Sequence, residues 1–337
     1  MRAGYASFVV FLTVPLMLIQ PPCCSADREV KEVEKKSFRL EPGGTVKIAA
    51  DEGYVRLTTW ERPEVSVTMT KYGRGRSKRE AQRRLDEIDV RLEQRGNRLT
   101  IRERGPGDRS FSLFDLFDPD TWSELSGRSA WVDFDLSVPE ETDCIIFTDE
   151  GDVSVSQIEG EMDVKTDEGE IELRRIRSER LSVTTDEGNI LLEHIEPQEP
   201  FPSGRLVIDT DEGDVELFDV EVERVEIETD EGDVVADMLR CRRLDFYSDE
   251  GTIEADMDIL SGGDYRCRTD EGEVILVLPR DASFAVTARS QEGEVRSDFP
   301  LEVREVGDGH RVDETVGGGD ADLYIYVDEG DIRLREK

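Results

Sequence analysis

The tripeptide Asp-Glu-Gly recurs along this chain, with its glycines at Gly53, Gly151, Gly169, Gly188, Gly213, Gly232, Gly251, Gly272 and Gly330, and Gln291-Glu292-Gly293 is a close variant. From Gly151 to Gly293 the steps are 18, 19, 25, 19, 19, 21 and 21 residues. Self-similarity at such a period marks an array of supersecondary units, none of which can bury its apolar face alone.

The flanking residues keep register with each glycine. Two after it stand Val153, Ile171, Ile190, Val215, Val234, Ile253, Val274, Val295 and Ile332. Four after it the row is mostly Leu, Val or Ala, and seven after it come Ile158, Ile176, Ile195, Val220 and Leu239. Seven and five ahead lie apolar pairs such as Cys144 and Ile146, Met162 and Val164, and Leu206 and Ile208. Three ahead sits a hydroxyl, from Thr148, Thr166, Thr185, Thr210, Thr229, Ser248 and Thr269 to Ser290.

Alternation at every second residue is the strand period, so one strand enters each corner and another leaves it. Stacking equivalent strands about 4.8 Å apart gives two continuous sheets around one core. The expected fold is therefore all-β: a parallel β-solenoid with two strands per coil and a short helix-containing insertion near the N-terminus. Gly53 has the same register, through Val46, Ile48, Val55, Leu57 and Trp60. The glycine suits a turn residue with positive φ.

The chain divides into a secretory signal at 1–26, a linker at 27–36, a first coil at 37–70, an insertion at 71–130 and the repeat solenoid at 131–337. The signal rests on Arg2, the apolar run from Tyr5 to Ile19, and the small residues Cys24-Ser25-Ala26. An uncleaved anchor and a lipid-bearing Cys23 are the alternatives. No other run is long and apolar enough to cross a bilayer. A strand at 64–71 leads into the insertion, which reads as a helix at 77–88 covering a sheet edge, strands at 89–95 and 98–104, and an aromatic loop at 105–128. The Pro-rich stretch around Pro197, Pro200 and Pro202 should bulge from one coil, and the charged ending Arg333-Leu334-Arg335-Glu336-Lys337 should discourage pairing at the last edge.

The repeats resemble those of the bacterial putative adhesins, cell-envelope proteins whose units read Thr-x-x-Gly-Asp/Glu-Ile/Val followed by alternating apolar positions. Thr148-Asp149-Glu150-Gly151-Asp152-Val153, Thr229-Asp230-Glu231-Gly232-Asp233-Val234 and Val327-Asp328-Glu329-Gly330-Asp331-Ile332 carry the likeness. It implies a β-strand solenoid and export, and supplies no catalytic residues. The Asp-Glu pair before glycine departs from the family's small polar pair.

The whole chain carries 43 basic and 80 acidic residues, a formal charge of −37, and a mature chain lacking Arg2 carries one positive charge fewer. Nucleic acid is excluded as a natural partner. Stacking would align Asp149, Asp167, Asp186, Asp211, Asp230, Asp249 and Asp270 in one row and Glu150, Glu168, Glu187, Glu212, Glu231, Glu250 and Glu271 in another. A third row, Asp152, Glu170, Asp214, Asp233, Glu273 and Glu294, is interrupted by Asn189 and Thr252. Charges about 4.8 Å apart repel by roughly 0.9 kcal/mol even in bulk water, so these rows are candidate ligands for Ca2+ or another divalent cation.

The solenoid requires no cofactor. The only histidines, His194 and His310, fall at unrelated repeat positions, and the uniform carboxylates single out no catalytic pair. The chain thus reads as a non-catalytic exported scaffold or adhesin-like binding protein for an envelope component or a protein partner. A calcium-binding solenoid is the runner-up, and a polysaccharide-active β-helix enzyme comes third. Cys144 and Cys267 fall six coils apart, and Cys241 occupies a different part of its coil, so no intrachain disulfide is expected.

Overall fold

The alternating residues become strands wherever the sequence repeats them. The computed structural model describes residues 28–104 and 130–337. The signal segment at 1–26 and the aromatic loop at 105–128 lie outside the described residues.

Ahead of the repeats come β1 (Arg28–Arg39), β2 (Gly44–Glu52), β3 (Val55–Trp60), β4 (Glu64–Gly75), the helix α1 (Lys78–Asp86), β5 (Asp89–Arg95), β6 (Arg98–Arg104) and β7 (Ala130–Pro139). The repeats supply strands in pairs: β8 (Thr142–Glu150) with β9 (Val153–Ser156), β10 (Met162–Glu168) with β11 (Ile171–Arg177), and β12 (Arg180–Glu187) with β13 (Ile190–Glu196). Next are β14 (Arg205–Glu212) with β15 (Val215–Glu221), and β16 (Arg224–Glu231) with β17 (Val234–Arg240). Then come β18 (Arg243–Glu250) with β19 (Ile253–Met257), and β20 (Asp264–Glu271) with β21 (Val274–Leu278). The chain closes with β22 (Phe284–Glu292), β23 (Val295–Ser297), β24 (Arg304–Val306), β25 (Gly309–Val316), β26 (Asp322–Glu329) and β27 (Ile332–Glu336).

Strands leaving the corners form a 13-stranded sheet, ordered β1-β4-β7-β3-β9-β11-β13-β15-β17-β19-β21-β27-β23. Strands entering them form a 14-stranded sheet, ordered β24-β25-β22-β26-β20-β18-β16-β14-β12-β10-β8-β2-β6-β5. The repeat strands pair in parallel and in register: Met162 lies between Cys144 and Leu181, and Ile190 between Ile171 and Val215. Their inward side chains make one apolar core running through the stack. This is the two-strand β-solenoid that the spacing implies.

The hydroxyl row is buried beside the turn. Thr166 and Thr269 each donate to the glycine carbonyl one coil away, at 3.4 and 3.2 Å, and Ser290 does the same at 2.8 Å. These contacts tie the corner of one coil to the next.

Both ends of the stack are closed by antiparallel pairing. At one end β1 and β4 pair antiparallel, as do β4 and β7, while β5 folds back on β6; at the other, β25 pairs antiparallel with β22 and β24. Residues 28–36, expected as a linker, belong to the 12-residue strand β1. Its Lys- and Glu-rich sequence hid it, because an edge strand with one free side can carry charge where a central strand cannot.

Helix α1 starts at Ser77, whose side chain accepts from the Glu80 amide, and buries Ala81 and Leu85. It can lie on β4 because Gly73 and Gly75 face it: a Cβ at Gly73 would sit 2.2 Å from the Ala81 carbonyl oxygen. The stretch 197–204 extends the turn between β13 and β14, as its prolines suggest.

The order of the last coils differs from the order of the sequence. The final coil, β26 and β27, is inserted between β20/β21 and β22/β23. The charged last strand was expected to protect an edge, but it is hydrogen-bonded on both sides. Its charges are met locally: Arg333 pairs with Glu273 at 3.0 Å and with Asp331 at 3.4 Å.

Candidate binding face

Parallel register turns each repeat position into a straight row of side chains. Glu150, Glu168, Glu187, Glu212, Glu231, Glu250 and Glu271 pair directly across successive strands, and the row runs on through Glu329 and Glu292. The seven corner glutamates named as candidate ligands are all exposed. The Asp row lies two residues before the glycines, with Asp149, Asp167, Asp186, Asp249 and Asp270 half-buried and Asp211 and Asp230 exposed.

Local partners differ along the Asp row. Lys165 sits 3.7 Å from both Asp167 and Asp186, Tyr247 donates to Asp249, and Arg268 donates to Asp270 at 2.9 Å. Burial, followed by repulsion from Asp186, raises the Asp167 carboxyl above its ordinary value. Burial raises Asp209 in the same way, reinforced by Asp211 and Asp230. Each protein charge close enough to be felt adds to the cost of ionising the next. Among the described residues, no group of three or more His, Cys, Asp or Glu side chains is arranged to hold a metal ion.

The third row has a task that charge alone does not reveal. Asp152 accepts from the Glu170 amide at 3.0 Å, Asn189 from Asp214 at 2.9 Å, Asp214 from Asp233 at 2.9 Å and Asp233 from Thr252 at 2.8 Å. Asp331 accepts from the Glu294 amide at 2.9 Å, following the spatial rather than the sequential order of coils. In each case a short side chain reaches the corner N–H of the next coil, a donor that the strand ladder leaves over. Asn189 does this as well as the aspartates, so the position selects an acceptor on a short arm and not a negative charge.

Glycine is needed at the corner for more than its φ. At Gly232, where φ is +145°, a Cβ would lie 2.2 Å from the Gly213 carbonyl oxygen. The glycines stack backbone against backbone, a close approach that no other residue permits.

A further row went unrecognised in the sequence. Gln157, Arg175, His194, Asp219 and Met238, each six residues after a glycine, all have φ between 56° and 63°. This left-handed residue turns the strand so that the next side chain, from Ile158 through Leu239, again points inward. It brings His194 Nδ1 to 2.6 Å from Asp219 Oδ2, with Phe218 edge-on to the imidazole. His310, on β25, instead meets the Gly293 carbonyl oxygen at 2.7 Å. The two histidines thus serve separate sheets.

Three open concavities among the described residues lie away from the Asp-Glu-Gly corners. One of about 370 Å³ is lined by Pro42, Trp60, Arg62, Pro63, Pro139 and Glu141 among others. Cys144, Cys241 and Cys267 are buried free thiols, and burial pushes Cys144 and Cys267 up to about 12. Among the described residues, no helix is long and apolar enough to cross a membrane.

A family model described as Toastrack DUF4097 matches residues 48–335. No curated protein matches the chain by sequence. Among solved structures, a putative adhesin from Bacteroides fragilis is similar at 10% identity and a TM-score of 0.37, covering 90% of this chain and 97% of its own. A putative lipid binding protein from Parabacteroides distasonis is similar at 10% identity and a TM-score of 0.34, covering 90% and 96%. A putative adhesin from Parabacteroides merdae is similar at 7% identity and a TM-score of 0.30, covering 91% and 96%.

Proposed function

Since this chain belongs to the Toastrack DUF4097 family, we propose that it is an exported, non-catalytic binding protein whose rows of surface side chains engage a cell-envelope component or a protein partner. The observation that supports this reading most is the sameness of the rows. Catalysis needs a few unlike groups converging on one reacting atom. Here each corner repeats its neighbour, and His194 and His310 stand on different sheets. A straight wall of repeated side chains instead suits many weak contacts along an extended partner.

The test is capture from an envelope extract with immobilised residues 27–337. A defined component should be retained at physiological salt. Retention of nothing beyond a scrambled-surface control, or turnover of an extract component by the purified protein, would overturn the reading.

A second reading, a divalent cation shared between neighbouring corners, is supported by the crowding of carboxylates there: burial first, and then repulsion between neighbouring aspartates, raises Asp167 and Asp209. The candidate ligands remain Asp149, Glu150, Asp167, Glu168, Asp186, Glu187, Asp211, Glu212, Asp230, Glu231, Asp249, Glu250, Asp270 and Glu271. Calcium would then raise the melting temperature above that in a chelator at equal ionic strength. An unchanged melting temperature removes this reading.

A further inference from the structure

The outer face of the 14-stranded sheet changes character along the stack. One of its rows reads Lys165, Thr184, Asp209 and Glu228 over β10 to β16. The same row continues as Tyr247, Arg268, Tyr326, Arg289 and Arg311 over β18, β20, β26, β22 and β25. The neighbouring row reads Asp163, Ser182, Val207 and Glu226 and then Asp245, Arg266, Tyr324, Thr287 and Asp313. Three of the chain's 7 tyrosines therefore stand together on one end of one face, interleaved with arginines.

The guanidiniums and rings are in contact. Arg268 lies 5.1 Å from the Tyr247 ring and 5.6 Å from that of Tyr326, and Arg266 lies 5.9 Å from that of Tyr324. Tyr324 remains 45% exposed. Arg266, Arg268 and Arg311 are each paired with a nearby aspartate, Asp264, Asp270 and Asp313.

Arg289 is different. It belongs to the coil whose corner is Gln291-Glu292-Gly293, the one place where the usual aspartate is replaced by glutamine. Its hydrogen bond is to Gln291 Oε1 at 3.4 Å, and among the described residues it forms no ion pair. Gln291 in turn donates to Asp328 and to the Tyr326 hydroxyl. That carboxylate is thereby occupied, and the exposed Arg289 is left without an anion beside Tyr326 and Arg311.

We propose that this tyrosine–arginine patch is a binding platform for a carboxylate-bearing glycan. The inference rests on the binding-protein reading and names a ligand class and a face for it. Arginine forks take carboxylates in a planar, bidentate fashion. Tyrosine offers an apolar ring for sugar C–H faces and a hydroxyl for sugar oxygens. Asp245, next to Arg266 in the second row, can accept from sugar hydroxyls. The strands under Tyr247, Arg268, Tyr326 and Arg289 are hydrogen-bonded on both sides, and β-addition needs a free edge, so a peptide cannot join this part of the face as a strand. At physiological salt the acidic corners are screened beyond about 8 Å, so the charge immediately around Arg289 governs docking.

The experiment is titration calorimetry of the full mature chain with oligogalacturonate at 0.15 M salt, alongside the fully methyl-esterified oligomer and the variants Arg289→Glu and Tyr324→Ala. The acidic oligomer should bind, and its neutral ester should bind at least about tenfold more weakly, the worth of one charge-assisted fork. Arg289→Glu should lose a similar factor with an unchanged melting temperature, since the side chain is exposed and has no ion pair to lose. The proposal fails if the wild type ignores the acidic oligomer, if the ester binds equally well, or if Arg289→Glu binds like the wild type. Envelope capture separates the two readings: equal capture by wild type and Arg289→Glu leaves the binding-protein reading intact while removing this patch, whereas capture by neither removes both.

Discussion

Replacing Gly232 by alanine should be among the most damaging single-methyl changes in the protein. The new Cβ would sit 2.2 Å from the Gly213 oxygen and 2.7 Å from its carbon, where ordinary contact begins at 3.4 Å. Relief needs a separation of about 1.2 Å between two coils whose natural spacing is about 4.8 Å. The bond from the Gly213 amide to the Glu231 oxygen, 2.9 Å long, joins the same two coils and would break with that opening, and so would the 2.9 Å bond from the Asp233 amide to Asp214. Two such losses cost about 2 kcal/mol together. The positive φ adds about 1 to 3 kcal/mol of strain, and alanine's stiffer unfolded chain offsets up to about 1 kcal/mol of it. A net loss of about 3 kcal/mol follows.

Gly307→Ala is the matched control, because φ there is +69° and nothing lies within 4 Å of the added methyl. Its cost should stay near 1 kcal/mol. Denaturant unfolding of both variants measures the difference, and hydrogen exchange should place the weakened amides of Gly232→Ala in the coils around residues 213 to 250. Equal losses for the two variants would refute the claim that glycine is required by backbone stacking.

Three other outcomes are expected. Asp233→Ala removes the acceptor for the Thr252 amide and should cost about 1 kcal/mol, whereas Asp233→Asn should be nearly neutral; an equal loss for both would mean that charge, not acceptance, matters there. Asp167 and Asp209 have folded-state pKa values raised from 3.8, so the folded state binds their protons more tightly than the unfolded state. Stability should therefore rise as pH falls from 7 through these raised values, and level off near the unfolded value; the rise should shrink in the Asp167→Asn, Asp209→Asn double variant, and a wild-type profile identical to the variant's would contradict the assignment. Cys144, Cys241 and Cys267 are buried thiols, so maleimide should label none of them in the native mature protein and all of them after unfolding, as read by mass; rapid native labelling would place one of them at the surface.

The architecture was legible because a period-two pattern kept in register over many units has one economical solution. Which residues stack was therefore readable, from Cys144 over Val46 to Cys267 over Phe246. The insertion's helix and its strands β5 and β6 were readable from their own local periods, without help from a repeat. The bulged row was missed because Gln157, Arg175, His194, Asp219 and Met238 share no chemistry. Its trace was in the spacing: inward positions fall two, four and seven residues after each glycine, and a step of three cannot occur in a straight strand. The acidic rows were located correctly, but the acceptor role of the third could be read only from Asn189, which looked like an interruption. The spatial order of the last coils was not encoded in the pattern at all. All coils present the same edges, so Gly293 and Gly330 fit equally well above Gly272.

The place of β26 and β27 also decides where residue 337 sits. The Lys337 amide is bonded to the Leu278 carbonyl oxygen at 2.9 Å, which seats that residue one layer below the last. A fusion partner joined there would emerge from the flank of the wall, and a nonsense codon just upstream of Asp322 would detach the layers synthesised before it along with the one it deletes.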